Sequence, residues 1–146
     1  MLDPGTIERF EGALASNKLK QLAEQMTAEG LSQPVVYERF EAFWELKRIA
    51  SWFEAAVGGV ASLQRDLAAF EALSDGPFAY NPRRGPVAVT LRALDAVCRA
   101  KRSGLLSPEQ SERLGRMLPE IGRCSETLAR LGFRLRRSIS EQLKPI

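Results

Sequence analysis

Residues 34–73 constrain the fold of this chain more than any other segment. After Pro34 the segment has no further proline, and its only glycines are the adjacent pair Gly58 and Gly59. Its apolar side chains recur with the period of an α-helix and fall on one broad face. The members of that face are Val35, Phe43, Leu46, Ile49, Ala50, Phe53, Val57 and Val60. We therefore predict one long helix over 34–73, weakest at the glycine pair, where each glycine costs about 1 kcal/mol relative to alanine.

Aromatic side chains lie on other sides of the same predicted helix. Tyr37, Phe40 and Trp44 form a stripe roughly opposite the broad face, and Trp52 points in a third direction. A helix that is apolar on more than one side normally packs between neighbours. A single domain of this size is not expected to cover every side of one helix. We therefore predict that Tyr37, Phe40, Trp44 and Trp52 contact a protein partner or another subunit, since interfaces are enriched in aromatic residues.

The rest of the chain also has helical spacing, and no strand-like alternation of useful length interrupts it. The sequence predicts an all-α fold in a single domain, 1–146: an irregular antiparallel bundle of five or six helices around the long central helix. Segment 1–33 forms one N-terminal helix or a helical hairpin, segment 74–85 is a loop rich in proline and glycine, and segment 86–146 forms basic C-terminal helices. No internal repeat is visible.

Two local signals fix helix ends in the C-terminal segment. Ser107 and Gln110 have the spacing of a capping box, with Pro108 at the first helical position. Pro119 is predicted to end that short helix and to open the last one. The last helix would then extend through Phe133 to the C-terminus.

The absence of histidine limits the chemistry of the chain. Cys98 and Cys124 cannot by themselves supply the four ligands of a Cys/His zinc site. Ser-His and Cys-His nucleophile pairs are excluded as well. Both cysteines lie on the apolar sides of their helices, so we expect buried, reduced thiols. The sequence predicts no catalytic residue, no metal site and no cofactor, and hence a protein that is not an enzyme.

Charge is distributed unevenly along the chain. Residues 1–73 carry a net charge of −4 and residues 74–146 a net charge of +7. If the last helix is continuous, its arginines form a stripe beside an exposed Phe133, and Arg83 and Arg84 in the loop could hold a phosphate or carboxylate. The candidate anion-binding or nucleic-acid-binding residues are Arg83, Arg84, Arg123, Arg130, Arg134, Arg136 and Arg137. The other interpretation is a solvated helix face with arginines paired to nearby carboxylates.

These features lead to two hypotheses about function. The first is a non-catalytic protein–protein interaction module, an adaptor, chaperone-like factor or assembly subunit, which binds a protein partner or self-associates through Tyr37, Phe40, Trp44, Trp52 and Phe133. The alternative is a helical protein that binds nucleic acid nonspecifically through its basic C-terminal helices. A small ligand bound near Tyr80 and Cys98 is a third possibility with no polar constellation to support it. No apolar run is long enough to span a membrane and no signal peptide is recognisable, so a cytoplasmic protein is expected.

Overall fold

The computed structural model describes residues 2–74 and 85–143. Over these ranges the chain is an all-α helical bundle, as predicted, with no strand and with seven helices instead of the five or six expected. No helix within the described ranges is both long enough and apolar enough to cross a membrane. The helices are α1 (Pro4–Ala15), α2 (Leu19–Ala28), α3 (Gln33–Ala61), α4 (Leu63–Ser74), α5 (Pro86–Arg102), α6 (Pro108–Arg130) and α7 (Arg137–Leu143).

The predicted helix 34–73 is two helices, α3 and α4, which are separated at Ser62. The hydroxyl of Ser62 lies 3.3 Å from the carbonyl oxygen of Gly58 and 3.1 Å from Oδ2 of Asp66. A serine that hydrogen-bonds to the preceding turn competes with the helical backbone pattern. The weak point was therefore predicted correctly to within one helical turn, but the chain breaks after the glycines because Ser62 satisfies the backbone groups that the break leaves free.

Contacts divide the chain into two compact units, residues 1–48 and 49–146. The core of unit 1 consists of Phe10, Leu22, Met26, Val36 and Phe43. The rings of Phe10 and Phe43 stack with their centroids 4.9 Å apart, and Phe40 meets Phe10 edge-on at 4.8 Å. Of the two predictions for the N-terminal segment, the hairpin is correct: α1 and α2 are joined by a turn in which Asn17 has a φ of 56°.

Helix α5 is the most deeply buried element of unit 2. Ten of its residues are buried. They include large side chains such as Leu91 and Leu94 and small ones such as Ala93 and Ala100. On one side the helix comes so close to α3 that a side chain at Gly59 would overlap the side chain of Thr90. Neighbouring elements of unit 2 therefore cover both the large and the small side chains of α5.

A buried carboxylate joins α5 to the C-terminal end of unit 2. Asp95 is only 4% exposed, and its Oδ1 accepts a hydrogen bond from the hydroxyl of Ser138. Its Oδ2 lies 3.4 Å from Nε of Arg99 and 3.6 Å from Nη1 of Arg136. A buried charge needs such partners, because leaving it unpaired costs several kcal/mol. Asp95 therefore holds α7 and the residue before it against α5.

The predicted break at Pro119 is wrong. Helix α6 continues through Pro119 to Arg130, and the predicted capping box of Ser107 and Gln110 is present at its start. A proline inside a helix costs about 3 kcal/mol or more. Here the apolar residues on both sides of the proline are buried in one core, which keeps the two halves in line; these residues are Leu114, Met117, Ile121, Cys124 and Leu128.

Helix α6 ends instead at a glycine. Gly132 has a φ of 89°, and the amide of Phe133 donates to the carbonyl of Leu128 at 2.9 Å. The amide of Gly132 donates to the carbonyl of Ala129 at 3.1 Å, which completes a Schellman motif. Residues 133–136 are therefore not helical, and α7 is a separate helix.

Adding one methyl group to each of the two adjacent glycines should have opposite effects. Gly59→Ala should lower the free energy of unfolding by about 1–3 kcal/mol, because the new Cβ overlaps Thr90 in a packed core. Gly58→Ala is the matched control: nothing lies within 4 Å of its added Cβ, so it should raise the free energy by about 0.5–1 kcal/mol through helix propensity. Urea denaturation followed by circular dichroism measures both, and equal effects would contradict the close approach of α3 and α5.

Removing the carboxylate of Asp95 should destabilise the protein more than removing the hydroxyl bonded to it. Asp95→Ala leaves Arg99, Arg136 and Ser138 without their buried acceptor, so we expect a loss of about 2–4 kcal/mol. Ser138→Ala removes one hydrogen bond to a charged group while both arginines remain, with an expected loss of about 1.5 kcal/mol. The comparison uses urea denaturation midpoints at neutral pH. A loss for Asp95→Ala no greater than that for Ser138→Ala would argue against the role of Asp95 as an anchor.

Candidate interaction surfaces

Unit 1 has an apolar groove between α2 and the first turns of α3. The groove is open to solvent and has a volume of about 540 Å³. Leu19 and Ala23 on α2 face Val36 and Phe40 on α3, and Tyr37 stands at the edge. The lining residues are Leu19, Lys20, Ala23, Glu24, Thr27, Gln33, Val36, Tyr37 and Phe40. This volume is in the range of protein sites that bind small ligands or side chains of a partner.

Two of the predicted partner-binding aromatics, Tyr37 and Phe40, meet at this groove. Tyr37 is 68% exposed, whereas Phe40 is partly buried and fixed by its edge-on contact with Phe10. The two residues therefore differ in role: Phe40 forms the wall, and Tyr37 projects from it. The sequence grouped them correctly on one stripe but gave no means of distinguishing the exposed ring from the supporting one.

The two tryptophans lie outside the groove. Trp44 is 39% exposed and tilts against Phe43 at 5.6 Å, one helical turn beyond Phe40 in unit 1. Trp52 belongs to unit 2, where it is 41% exposed. Both are partly solvent-accessible aromatic side chains of the kind that interfaces use.

Phe133 is not exposed, so the predicted aromatic contact beside the arginine stripe is wrong. Its side chain is 5% exposed and packs against Phe70 with ring centroids 4.8 Å apart. The prediction assumed that the last helix continues through this residue. The Schellman motif at Gly132 turns the chain first and directs Phe133 into the core of unit 2.

The arginines of the C-terminal segment do not form one stripe, because Arg123 and Arg130 belong to α6 and Arg137 to α7. Four of the predicted anion-binding arginines already have a carboxylate partner: Arg123 with Glu120, Arg130 with Glu71 at 2.6 Å, Arg136 with Asp95, and Arg137 with Glu141 at 2.9 Å. The bond to Glu71 raises the pKa of Arg130, and the bond from Arg123 lowers the pKa of Glu120. Among the described arginines of this set, Arg134 is exposed and forms no ion pair. Arg83 and Arg84 lie outside the described residues.

A second groove, of about 510 Å³, lies in unit 2 between the end of α3, the start of α4 and α6. Its polar side chains already have partners: Gln64 donates to Glu120 at 2.9 Å, Glu120 pairs with Arg123, and Arg116 pairs with Glu112, which lies outside the lining. Because these groups already have partners, this groove offers a ligand few free donors or acceptors. The groove of unit 1 is the better candidate site.

The α2 wall of the unit 1 groove was not identified from the sequence. Leu19 and Ala23 share the apolar face of α2 with Leu22 and Met26, but only Leu22 and Met26 are buried. The available signal was position: Leu19 and Ala23 lie toward one edge of that face. To tell the edge of the apolar face of α2 from its centre, one must know on which side of α2 the helix α3 lies.

No group of three histidine, cysteine or acidic side chains among the described residues could hold a metal ion. Cys98 and Cys124 are buried and free, as predicted. Burial, together with the nearby charge of Asp95, raises the pKa of the Cys98 thiol from 9.0 to about 11. Burial and the adjacent Glu120 raise the pKa of Cys124 as well.

No protein-family model matches this chain, and neither a curated protein nor a solved structure shows significant similarity to it.

The thiols should resist modification while the protein is folded. Because the pKa of Cys98 is raised to about 11, its neutral form predominates at pH 8, and only the thiolate attacks a disulfide reagent. We expect 5,5′-dithiobis(2-nitrobenzoic acid) to react at least about a hundredfold more slowly with native protein than with protein in urea. Cys124→Ser isolates the reaction of Cys98. Rapid reaction of the native Cys124→Ser variant would contradict burial of Cys98.

Proposed function

We propose that this protein is a non-catalytic protein–protein interaction module, an assembly subunit or adaptor, that docks an α-helical segment in the groove of unit 1. One observation carries the proposal: an apolar groove with Tyr37 exposed at its edge. An exposed tyrosine beside a preformed apolar groove is a common feature at the centre of protein–protein interfaces.

The shape of the groove favours a helical occupant. Its lining covers Leu19 to Thr27 on α2 and Gln33 to Phe40 on α3, which is about two turns of each helix, or roughly 12 Å. A third helix laid between two helices meets both walls with side chains spaced three and four residues apart. Thr27 and Gln33 lie at the periphery of this surface and can receive the polar side of the occupant.

The environment of the two thiols supports the proposal that the protein functions in a reducing compartment. Two buried free cysteines, in a chain without a disulfide among its described residues, are typical of cytoplasmic proteins. We therefore assign the proposed interaction to the cytoplasm.

Nonspecific nucleic-acid binding is the weaker proposal. Lys and Arg side chains hold a phosphate backbone by displacing the counterions that are condensed on it. In the C-terminal segment, Arg123, Arg130, Arg136 and Arg137 would each have to give up or share a carboxylate before contacting a phosphate. Arg134 is the described member of the set that is free to do so, and a single arginine gives only a shallow dependence of affinity on salt.

Site-specific photocrosslinking tests the docking site. Replacing Tyr37 by p-benzoylphenylalanine should give covalent adducts with a polypeptide in native extract, because this side chain stands at the groove. The control carries the same group at Gln25, an exposed position of α2 that does not line the groove. Ala23→Glu, which places a charge on the groove wall, should abolish the adduct from position 37 while the helical circular dichroism signal is retained.

The proposal would be overturned by adducts that form equally well at positions 25 and 37, by adducts that Ala23→Glu leaves unchanged, or by adducts that nuclease removes. The last outcome would favour the nucleic-acid alternative.

A further inference from the structure

The groove of unit 1 and the most exposed aromatic side chain of that unit lie on one surface. Tyr37 lines the groove and at the same time projects from it, with 68% of its surface accessible. A surface that carries both a cavity and a projecting side chain can be complementary to itself. Two copies related by a two-fold axis would each place Tyr37 in the groove of the other, as an isologous contact requires.

The charges on the groove are balanced. Lys20 and Glu24 are the only charged residues among those that line it. They are one turn apart on α2, both are exposed, and neither forms an ion pair within the part of the chain that the structure describes. The two charges cancel, so the groove has no net attraction for a strongly basic or a strongly acidic partner. A partner that carries one charge of each sign in the matching order can pair with both Lys20 and Glu24.

A second copy meets both charges correctly. A two-fold axis perpendicular to α2 makes the two α2 helices antiparallel, so that Lys20 of one copy faces Glu24 of the other, and the same contact occurs twice. Opposite charges across an interface fix register and exclude other partners. In this dimer Lys20 and Glu24 keep the positions on α2 that they have in the single chain.

The space available also suits this occupant. The groove is open to solvent and has a volume of about 540 Å³, which is more than a single tyrosine ring requires, so Tyr37 of the second copy can enter it from above. The wall of the groove would present Phe40 to the incoming ring, an aromatic contact of the kind that adds to simple burial.

We propose that the occupant of the groove is a second copy of this chain, in a two-fold dimer in which Tyr37 is exchanged between grooves and Lys20 pairs with Glu24. This inference rests on the proposed function, because it names the protein that the groove binds. The groove involves about two turns of each helix, so the dimer should be weak and its population should depend on protein concentration in the micromolar range.

Charge reversal in sedimentation equilibrium tests the dimer. Lys20→Glu and Glu24→Lys should each weaken dimerisation by about tenfold, because each places like charges opposite one another twice. The double variant K20E/E24K restores opposite charges and should return the dissociation constant to within about threefold of the wild type. Tyr37→Ala should weaken the dimer by at least about tenfold through loss of the exchanged ring.

Matched controls separate this contact from general effects. Lys18→Glu makes the same charge change two residues earlier, outside the groove lining, and should leave the dissociation constant unchanged. Circular dichroism at low concentration, where the protein is monomeric, should be the same for every variant. A variant that has lost its helical signal is replaced by the milder Lys20→Gln or Glu24→Gln, which should weaken the dimer by about threefold.

The outcomes also distinguish this inference from the proposed function. A purified wild-type protein that stays monomeric throughout the concentration range overturns the second copy as occupant, as does a dimer that K20E, E24K and Y37A leave unchanged. If the crosslinking experiment at position 37 then identifies a different protein, docking in the groove stands and only the second copy is rejected. If position 37 gives no specific adduct and no dimer forms, both proposals fail.

Discussion

Burial of α5 is the constraint on which the rest of unit 2 depends. The helix has only a narrow polar stripe, so elements must cover it on most of its circumference. The glycine at position 59 lets α3 approach Thr90, and the carboxylate of Asp95 keeps α7 in place on another side. A buried aspartate is tolerated here because it has three donors around it. Close packing against α3 and the polar contacts of Asp95 therefore both serve to cover α5.

The fold class and the strongest local signals were accessible from the sequence. Helical periodicity and the capping box at Ser107 both follow from the spacing of neighbouring residues, which local chemistry determines. The errors arose where two local signals compete. Pro119 and Gly132 both end helices in general, and which one prevails here depends on whether the residues around it share a core. Tertiary packing determines which of the two residues ends the helix, and the tertiary contacts cannot be inferred from one sequence.

The candidate site was predicted only in part, for a related reason. The aromatic stripe that includes Tyr37 and Phe40 is visible in the sequence, whereas the facing wall on α2 comes from a different helix whose position is set by the fold. Charge was misleading in the same way. The basic C-terminal half appears as an anion-binding surface when residues are counted along the chain, but Arg130 reaches Glu71, fifty-nine positions earlier, and Arg113 lies 3.6 Å from Glu54. Ion pairs between distant segments neutralise part of the positive charge that a count along the sequence assigns to the C-terminal half.

The positions of the tryptophans have a spectroscopic consequence. The chain has two tryptophans, and Trp44 lies in unit 1 while Trp52 lies in unit 2. Replacing either one by phenylalanine leaves a single indole whose emission originates in one unit. Intrinsic fluorescence can therefore follow the unfolding of each unit separately, without any added label, and can establish whether the two halves of the chain melt as one cooperative body.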